Sequence, residues 1–249
     1  LGVVPQLVKP TGETDAGDIL RRIESDLGLR RVIYTENHDE TGTLNGNRRL
    51  VSDADEADPQ SLLARRKHAL AAVITLTAPG IPLVFMGQEL MEDKDFHDSN
   101  PLSWKRGDHS FHASELYRDL IRLRRNLDNR SAALRDTHVR PLSQTGQTGQ
   151  LLAYRRFVPG RAEDQLVVVI NFSDQEVRDY PLLFPTAGDW RVLINTDDCK
   201  YGKDFTGITT SIPRSDGGKK IPVTLAPLSA QIFGLSTLAP AAAGDDETL

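Results

Sequence analysis

The longest apolar run of the chain, residues 69–86, is interrupted by Pro79, Gly80 and Pro82. An unbroken run of that length would be a candidate membrane helix, but two prolines and a glycine cannot continue one, so the run divides into a helix, a turn and a strand. Upstream, Leu63, Leu70, Ile74 and Thr77 share one helical face with Leu62, Ala69, Val73 and Leu76 beside them, which predicts a wide-faced, buried helix. Asp58 and Pro59 read as its start, Asp as cap and Pro at the first helical position. Before this helix stands a short strand-like piece, residues 31–34, ending in the polar run Thr35-Glu36-Asn37-His38-Asp39-Glu40. After it, the strand at 81–86 ends in Gly87-Gln88-Glu89. Strand, polar end and helix therefore pass directly into a second strand with a polar end.

A second helix is marked by Leu116, Leu120, Leu123 and Leu127, with Arg122, Arg124 and Arg125 read as its solvated face. From residue 151 onward the period changes to short apolar runs at 151–157, 165–172, 190–195, 221–225 and 231–235. Gly188-Asp189, Asp216-Gly217-Gly218 and Ala226-Pro227 punctuate them, the signature of an all-β module. The expected division is α/β over residues 1–134, all-β over 135–237 and a mobile tail over 238–249, which lacks core formers before Leu249.

With 39% hydrophobic and 26% charged residues, the composition is that of an ordinary soluble globular protein. A net charge of −5 and a pI near 5.7 argue against nucleic acid or an anionic membrane surface as partner, since both are met by clustered Lys and Arg. Neutral, hydroxyl-rich ligands remain open. The single cysteine, Cys199, forms no internal disulfide and no Cys-x-x-Cys pair, so a reducing, cytoplasmic home is expected and Cys199 is read as inert. His109 and His112 have a metal-compatible spacing but no third ligand in sequence, so both are read as surface residues and no metal is expected. The chain opens on Leu1, not Met, and is read as a piece of a larger protein.

A carboxylate beside an imidazole with acids on both flanks costs solvation and repulsion unless a polar ligand sits there, which points to Asn37-His38-Asp39 as part of a sugar site. A polar turn is the alternative from those residues alone. Together with the Pro79-Gly80-Ile81-Pro82 and Gly87-Gln88-Glu89 element, in this order and spacing, the chain resembles the last two strands of the catalytic (β/α)8 barrel in the α-amylase superfamily of retaining α-glucan enzymes. The continuations Phe96-His97-Asp98-Ser99-Asn100-Pro101-Leu102-Ser103-Trp104 and Asn195-Thr196-Asp197 look most like the 1,4-α-glucan branching enzymes; the resemblance covers about residues 30 to 235.

The resemblance implies the C-terminal portion of a (β/α)8 TIM barrel, its last two strand-helix units, followed by a C-terminal antiparallel β-sandwich. It implies an α-1,4-glucan substrate, a retaining transfer that forms α-1,6 branches, and no cofactor. Retaining cleavage needs a nucleophilic carboxylate and a protonated acid about 5 Å apart. The superfamily adds a third carboxylate gripping sugar hydroxyls, and the Asn-His-Asp match places Asp39 in that role with His38 donating to a sugar hydroxyl. Asn37 and Glu36 fall beside them as candidate substrate contacts, Glu36 being open either to lining the cleft or to buttressing Arg48. Residues 47–49 read equally as a surface loop. Gln88 and Glu89 line the site or hydrogen-bond the barrel rim; Trp104 stacks on a glucose ring or packs in the core.

The departure is that nucleophile and acid lie on earlier strands in the superfamily. Asp15, Asp18, Glu24 and Asp26 precede Tyr34 only in an amphipathic helix pattern with Ile19, Leu20, Ile23 and Leu27. The rest of the barrel is therefore expected as a partner, because two strands cannot close a barrel and leave apolar faces open. A hydrolase of the same superfamily, and a non-catalytic glucan-binding or subunit-contact module, are the alternative functions.

Overall fold

The computed structural model describes residues 4–10, 13–24, 28–42, 48–104, 107–142, 149–209 and 214–235; Asn47 and the expected tail lie outside them. A one-turn helix, α1 (Val4–Leu7), sets Leu7 in the core. Asp15 caps α2 (Ala16–Ile23) by accepting the Asp18 N–H at 2.9 Å, and Asp18 pairs with Arg22 at 2.8 Å. Ile19, Leu20 and Ile23 are buried.

Strands β1 (Val32–Ile33) and β2 (Ile81–Pro82) pair in parallel, Val32 opposite Ile81 and Ile33 opposite Pro82. The ladder continues as Leu83 N–H donates to Ile33 O at 2.8 Å. Ile33 is buried against the helices, whereas Val32, Ile81 and Leu83 on the other face are 42%, 51% and 36% exposed. That is the face a closed barrel turns inward.

Between the strands run α3 (Leu50–Ala54) and α4 (Leu62–Thr77). Helix α4 begins after Ser61, whose hydroxyl accepts the Ala64 N–H at 3.1 Å, and not at the expected Asp58 cap. Asp58 instead accepts the Gln60 N–H at 2.9 Å, so Pro59 lies in a turn before the helix. From Ala64 to Thr77, α4 is buried all round, lying between α5 (Asp108–Arg124) and the β-sheet described below. It stops where Gly80 takes φ +140°, a conformation that strains other residues, and where an added Cβ would stand 2.7 Å from the Ile33 side chain. The Arg124 guanidinium closes this helix end by donating to Ala78 O at 2.9 Å and to Gly80 O. Arg124 is thus not on the solvated face expected for it; burial lowers its pKa to about 10, and bonding the free carbonyls past the helix end offsets the desolvation.

The remainder is all-β: β3 (Val139–Pro141), β4 (Leu151–Val158), β5 (Arg161–Asn171), β6 (Val177–Phe184), β7 (Ala187–Gly188), β8 (Trp190–Asn195), β9 (Ser215–Asp216), β10 (Lys219–Leu225) and β11 (Ser229–Leu235). A five-stranded antiparallel sheet has the order β3-β4-β5-β11-β8, while β6 pairs with β10 and β7 with β9. Strand alternation divides the large sheet's two faces. Ala153, Val167, Val169 and Phe233 pack with Leu182, Phe184, Ile221 and Val223 of the β6–β10 layer to form the sandwich core. Leu152, Tyr154, Val168, Ile170 and Ile232 face the other way and join one core with α2, α4 and α5.

Polar contacts pin that junction. The Tyr154 and Thr77 hydroxyls meet at 2.5 Å, and fully buried Arg156 donates to Thr77 O, Asp136 O and His138 O. Burial, reinforced by nearby Arg124, brings the Arg156 pKa down to about 9. Arg66 of α4 donates to Asp197 at 2.7 Å and Pro227 O at 2.8 Å, and Arg65 forks onto Asp204 at 2.7 and 2.5 Å. The Asn195-Thr196-Asp197 segment is therefore a structural anchor at the end of β8.

Candidate active site at the strand ends

Both polar runs leave the carboxyl ends of the parallel strands, the edge where barrel enzymes place their chemistry. The two loops are tied together. Gln88 Nε2 donates to Thr35 Oγ1 at 2.5 Å, and Gln88 Oε1 accepts the Phe85 N–H at 3.2 Å. Phe96 N–H donates to Thr41 O at 2.8 Å, which joins Gly42 and Phe96 in a parallel bridge. Gly87, at φ +82° with an added Cβ 2.7 Å from Leu102 Cδ2, provides the bend into the 3-10 turn Gln88–Leu90.

Beneath the loops lies a buried ion pair. Glu36 Oε2 accepts from Arg49 Nη1 at 2.9 Å and Oε1 from the Leu50 N–H at 2.8 Å, with the two side chains only 3% and 1% exposed. Burial pushes the Glu36 carboxyl above its ordinary range, while the Arg49 charge and the Leu50 N–H pull the other way. The same guanidinium donates to Lys94 O at 3.2 Å and stands 4.9 Å from the centre of the Phe85 ring. Glu36 therefore takes the buttress role of the two open to it, with Arg49 in place of Arg48; Arg48 pairs with Glu56 at the surface. Gln88, 1% exposed and engaged at both ends, is the rim residue.

From α4, His68 Nε2–H donates to Gln88 O at 2.8 Å, and its ring lies 5.5 Å from that of Tyr117. Burial lowers the His68 pKa to about 4 and, with the charges of Glu36 and Glu89, pushes the Tyr117 phenol well up.

Above this base, Asn37 Oδ1 accepts the Glu40 N–H at 2.8 Å and Asn37 O accepts the Thr41 N–H at 3.1 Å, folding residues 37–41 into a turn. His38 and Asp39 occupy its crest, 3.4 Å apart, with side chains 68% and 75% exposed. Glu89 is half-buried and its carbonyl accepts from Ser114 Oγ at 3.0 Å. Trp104 is 75% exposed, which removes core packing as its role. The loop leading to it is held by buried Glu92, whose Oε2 accepts the Ser103 N–H at 3.1 Å. The structure thus joins the two motifs through Thr35, Gln88, Glu36 and Arg49, and leaves His38, Asp39 and Trp104 presented to solvent. Thr35, Arg49, His68, Phe85 and Glu92 were not singled out as site residues; their types are ordinary, and only the crossing of the two loops gives them a role.

The family described as "Alpha amylase, C-terminal all-beta domain" matches residues 143–236. Many solved structures, α-amylases and pullulanases among them, share the fold over most of the chain. A pullulanase of Anoxybacillus sp. LM18-11 complexed with maltotetraose has a TM-score of 0.61 at 18% identity, covering 94% of this chain and 34% of its own. The α-amylase of H. orenii has a TM-score of 0.56 at 15% identity, covering 94% of this chain and 47% of its own. The fold is that of α-amylase-type enzymes, part of the barrel followed by the β-sandwich.

In sequence the chain is similar to 1,4-α-glucan branching enzymes GlgB. That of Rhodospirillum rubrum is 32% identical over 166 residues, which are 63% of this chain and 22% of the relative. That of Burkholderia thailandensis is 31% identical over 166 residues, 62% of this chain and 19% of the relative. The chain spans about a fifth of the length of these relatives. The likeness to the branching enzymes is one of sequence, and that to the α-amylases and pullulanases one of fold.

Proposed function

We propose that the complete protein carrying this chain is a retaining α-glucan-transferring enzyme that cuts α-1,4 linkages and forms α-1,6 branches in a glycogen- or starch-like polymer. The observation that carries this reading is the presentation of His38 and Asp39 at the carboxyl end of β1, on a loop locked to the end of the neighbouring parallel strand. Likeness to the branching enzymes supports the choice of reaction.

Asp39 accepts hydrogen bonds from sugar hydroxyls and favours the distorted, positively charged ring of the transition state; contacts that strengthen as that charge grows contribute several kcal/mol. His38 donates to a neighbouring hydroxyl, and Glu89 and Trp104 flank the sugar. Asn37, Glu36 and Gln88 act on the substrate indirectly, by holding the turn that presents Asp39.

The nucleophile and the general acid come from further barrel strands. Two observations support this. Of the acids ahead of β1, Asp15 serves as a helix cap and Asp18 pairs with Arg22. Moreover, Val32, Ile81 and Leu83 expose an apolar stripe on the face that further strands would cover. In this reading residues 1–134 are barrel and 135–237 sandwich, the partners are the α-glucan and the remaining barrel, and the enzyme works in the cytoplasm. Among the described residues no helix is long and apolar enough to cross a membrane.

The test is an assay of the complete protein on amylose, following iodine colour and reducing ends together. Branching lowers the iodine colour without new reducing ends. Both readouts changing in step would replace branching with hydrolysis, and neither changing while amylose is still bound would make the protein a non-catalytic glucan-binding module.

A further inference from the structure

At the β3–β4 edge of the large sheet, Arg140 and Arg155 are directly opposite cross-strand partners. Both point to the face that carries Leu142 and Ala153 toward the sandwich core, while Arg156 between them points the other way and holds Thr77 O. Such a pair brings two side chains to about 5 Å at their Cβ atoms, and like charges placed there repel. The Arg155 guanidinium is fixed in place, its Cζ 4.4 Å from the centre of the Phe157 ring, whose other neighbour is His138 with ring centres 5.4 Å apart. Arg155 is half-buried and Arg140 exposed, and neither guanidinium has a hydrogen-bond or ion-pair partner among the described residues.

No carboxylate offsets the pair. Burial and the Arg140 charge together lower the Arg155 pKa, with no acid acting against them. Asp136 is taken up by His138, accepting from Nδ1 at 2.5 Å and from the Thr137 and His138 N–H groups at 2.7 and 3.0 Å, and its charge acts on Arg156 on the opposite face. Asp164 pairs with Arg161 at 3.3 Å. Glu163 lies four residues along β5 from Val167, the residue opposite Arg155, about 13 Å at 3.3 Å per strand residue. Residues 143–150, which join β3 to β4, include no acid.

The two uncompensated charges select the ligand class. A neutral ligand leaves the repulsion in place. A carboxylate brings one charge and two oxygens, enough for one guanidinium fork. A phosphate monoester carries about −1.5 to −2 near neutral pH and three acceptor oxygens, enough for both. A nucleic-acid backbone needs a longer basic track, and the next positions along this edge are the His138 and Phe157 rings with Asp136 behind them.

We propose that Arg140 and Arg155 form a phosphate-binding site at the outer edge of the sandwich, Arg155 held flat by Phe157 and Arg140 closing from the neighbouring strand. The site is apart from the strand-end loops. Thr77, which Arg156 holds, lies nine residues along α4 from His68, which touches the Gln88 loop, a rise of about 14 Å. The assignment uses none of the residues given a role in glucan transfer, so it stands or falls separately from that reaction.

The test is isothermal titration calorimetry of the complete protein at low ionic strength with inorganic phosphate, glucose 6-phosphate, acetate and glucose in separate runs. Phosphate and its ester are expected to bind saturably with a dissociation constant of about 1 mM, as two forked contacts at a half-exposed edge would give. Acetate and glucose should bind at least about tenfold more weakly. Arg140→Met and Arg155→Met should each weaken phosphate by about tenfold, and Arg155→Lys, which keeps the charge but not the planar fork, by less. Arg161→Met, which removes an exposed guanidinium already paired with Asp164, should leave binding unchanged. If Arg155→Met fails to fold, Arg140→Met, on an exposed side chain, decides. Absence of saturable heat at phosphate concentrations about tenfold above the expected constant would overturn the assignment. So would acetate binding as well as phosphate, binding indifferent to Arg140→Met, or an equal loss in Arg161→Met, which would mean general attraction of an adventitious ion only.

Discussion

Replacing Arg49 with leucine removes one member of a buried pair and leaves the other in place. Glu36 would keep the Leu50 N–H at 2.8 Å but lose the guanidinium at 2.9 Å, with its side chain still only 3% exposed. The bond to Lys94 O and the cation stacked 4.9 Å from the Phe85 ring go at the same time. Breaking one side of such a pair typically costs about 3–5 kcal/mol, because a buried charge is stranded. Replacing both partners with leucine strands nothing, so Glu36→Leu/Arg49→Leu should recover most of the loss, a coupling that a double-mutant cycle reads directly.

The loss should also depend on pH. Burial already raises the Glu36 carboxyl, and without Arg49 nothing of opposite charge restrains it, so the folded variant binds its proton more tightly than the unfolded chain does. Below the unfolded value of about 4.5 both states are protonated and the deficit is small; it grows as pH rises through the folded value, where a charge must be buried. Urea unfolding of the complete protein and its variants between pH 4 and 8 measures this. A deficit below about 1 kcal/mol at pH 7, or one that shrinks as pH rises, would refute the account of the pair as a charged strut.

Further perturbations follow from the same contacts. Unfolded His68 takes a proton below about 6.5 but the folded ring only below about 4, so the unfolded state holds more protons in between; the stability is full above 6.5 and lost as pH falls to 4. The share is about 3 kcal/mol from a 2.5-unit difference, and pH-dependent denaturation should lose it in His68→Gln. Arg66→Met strands Asp197, whose side chain is 1% exposed, and should lower the stability measured by urea unfolding by about 3 kcal/mol. Gly87→Ala forces a side chain into φ +82° against Leu102 and should cost about 1–3 kcal/mol, read as a lower thermal midpoint, with a further loss of turnover if the Gln88 loop shifts.

The helix and turn divided by Pro79 and Gly80 were legible because proline and glycine act locally, although the strand expected over 81–86 is paired only at Ile81–Pro82, and the β-module's central strands were legible because strands buried on both faces read as short continuous apolar runs. Strand β6 was not legible, since Pro181 and the charged Arg178 and Asp179 interrupt its apolar pattern; it is held by its antiparallel neighbour β10. The start of α4 was misread because Asp58-Pro59 and Ser61 are both acceptable beginnings, and only the three-dimensional path of the preceding turn chooses Ser61. Arg124 looked like surface because its helical position is polar; its task depends on where α4 ends, 44 residues away along the chain at Gly80. At the site, Asn37-His38-Asp39 announced itself by type and order. Which of Glu36, Gln88 and Asp39 faces outward depended on the pairing of two loops, which no local pattern encodes.

The central claim is that Asp39 is the carboxylate this chain contributes to glucan transfer, and the most direct measurement is turnover of amylose by the complete protein carrying Asp39→Asn, with its unfolding midpoint taken alongside. The side chain is 75% exposed, so the fold should be unaffected, and turnover should fall to background. Substantial activity in a correctly folded variant would contradict the role given to Asp39.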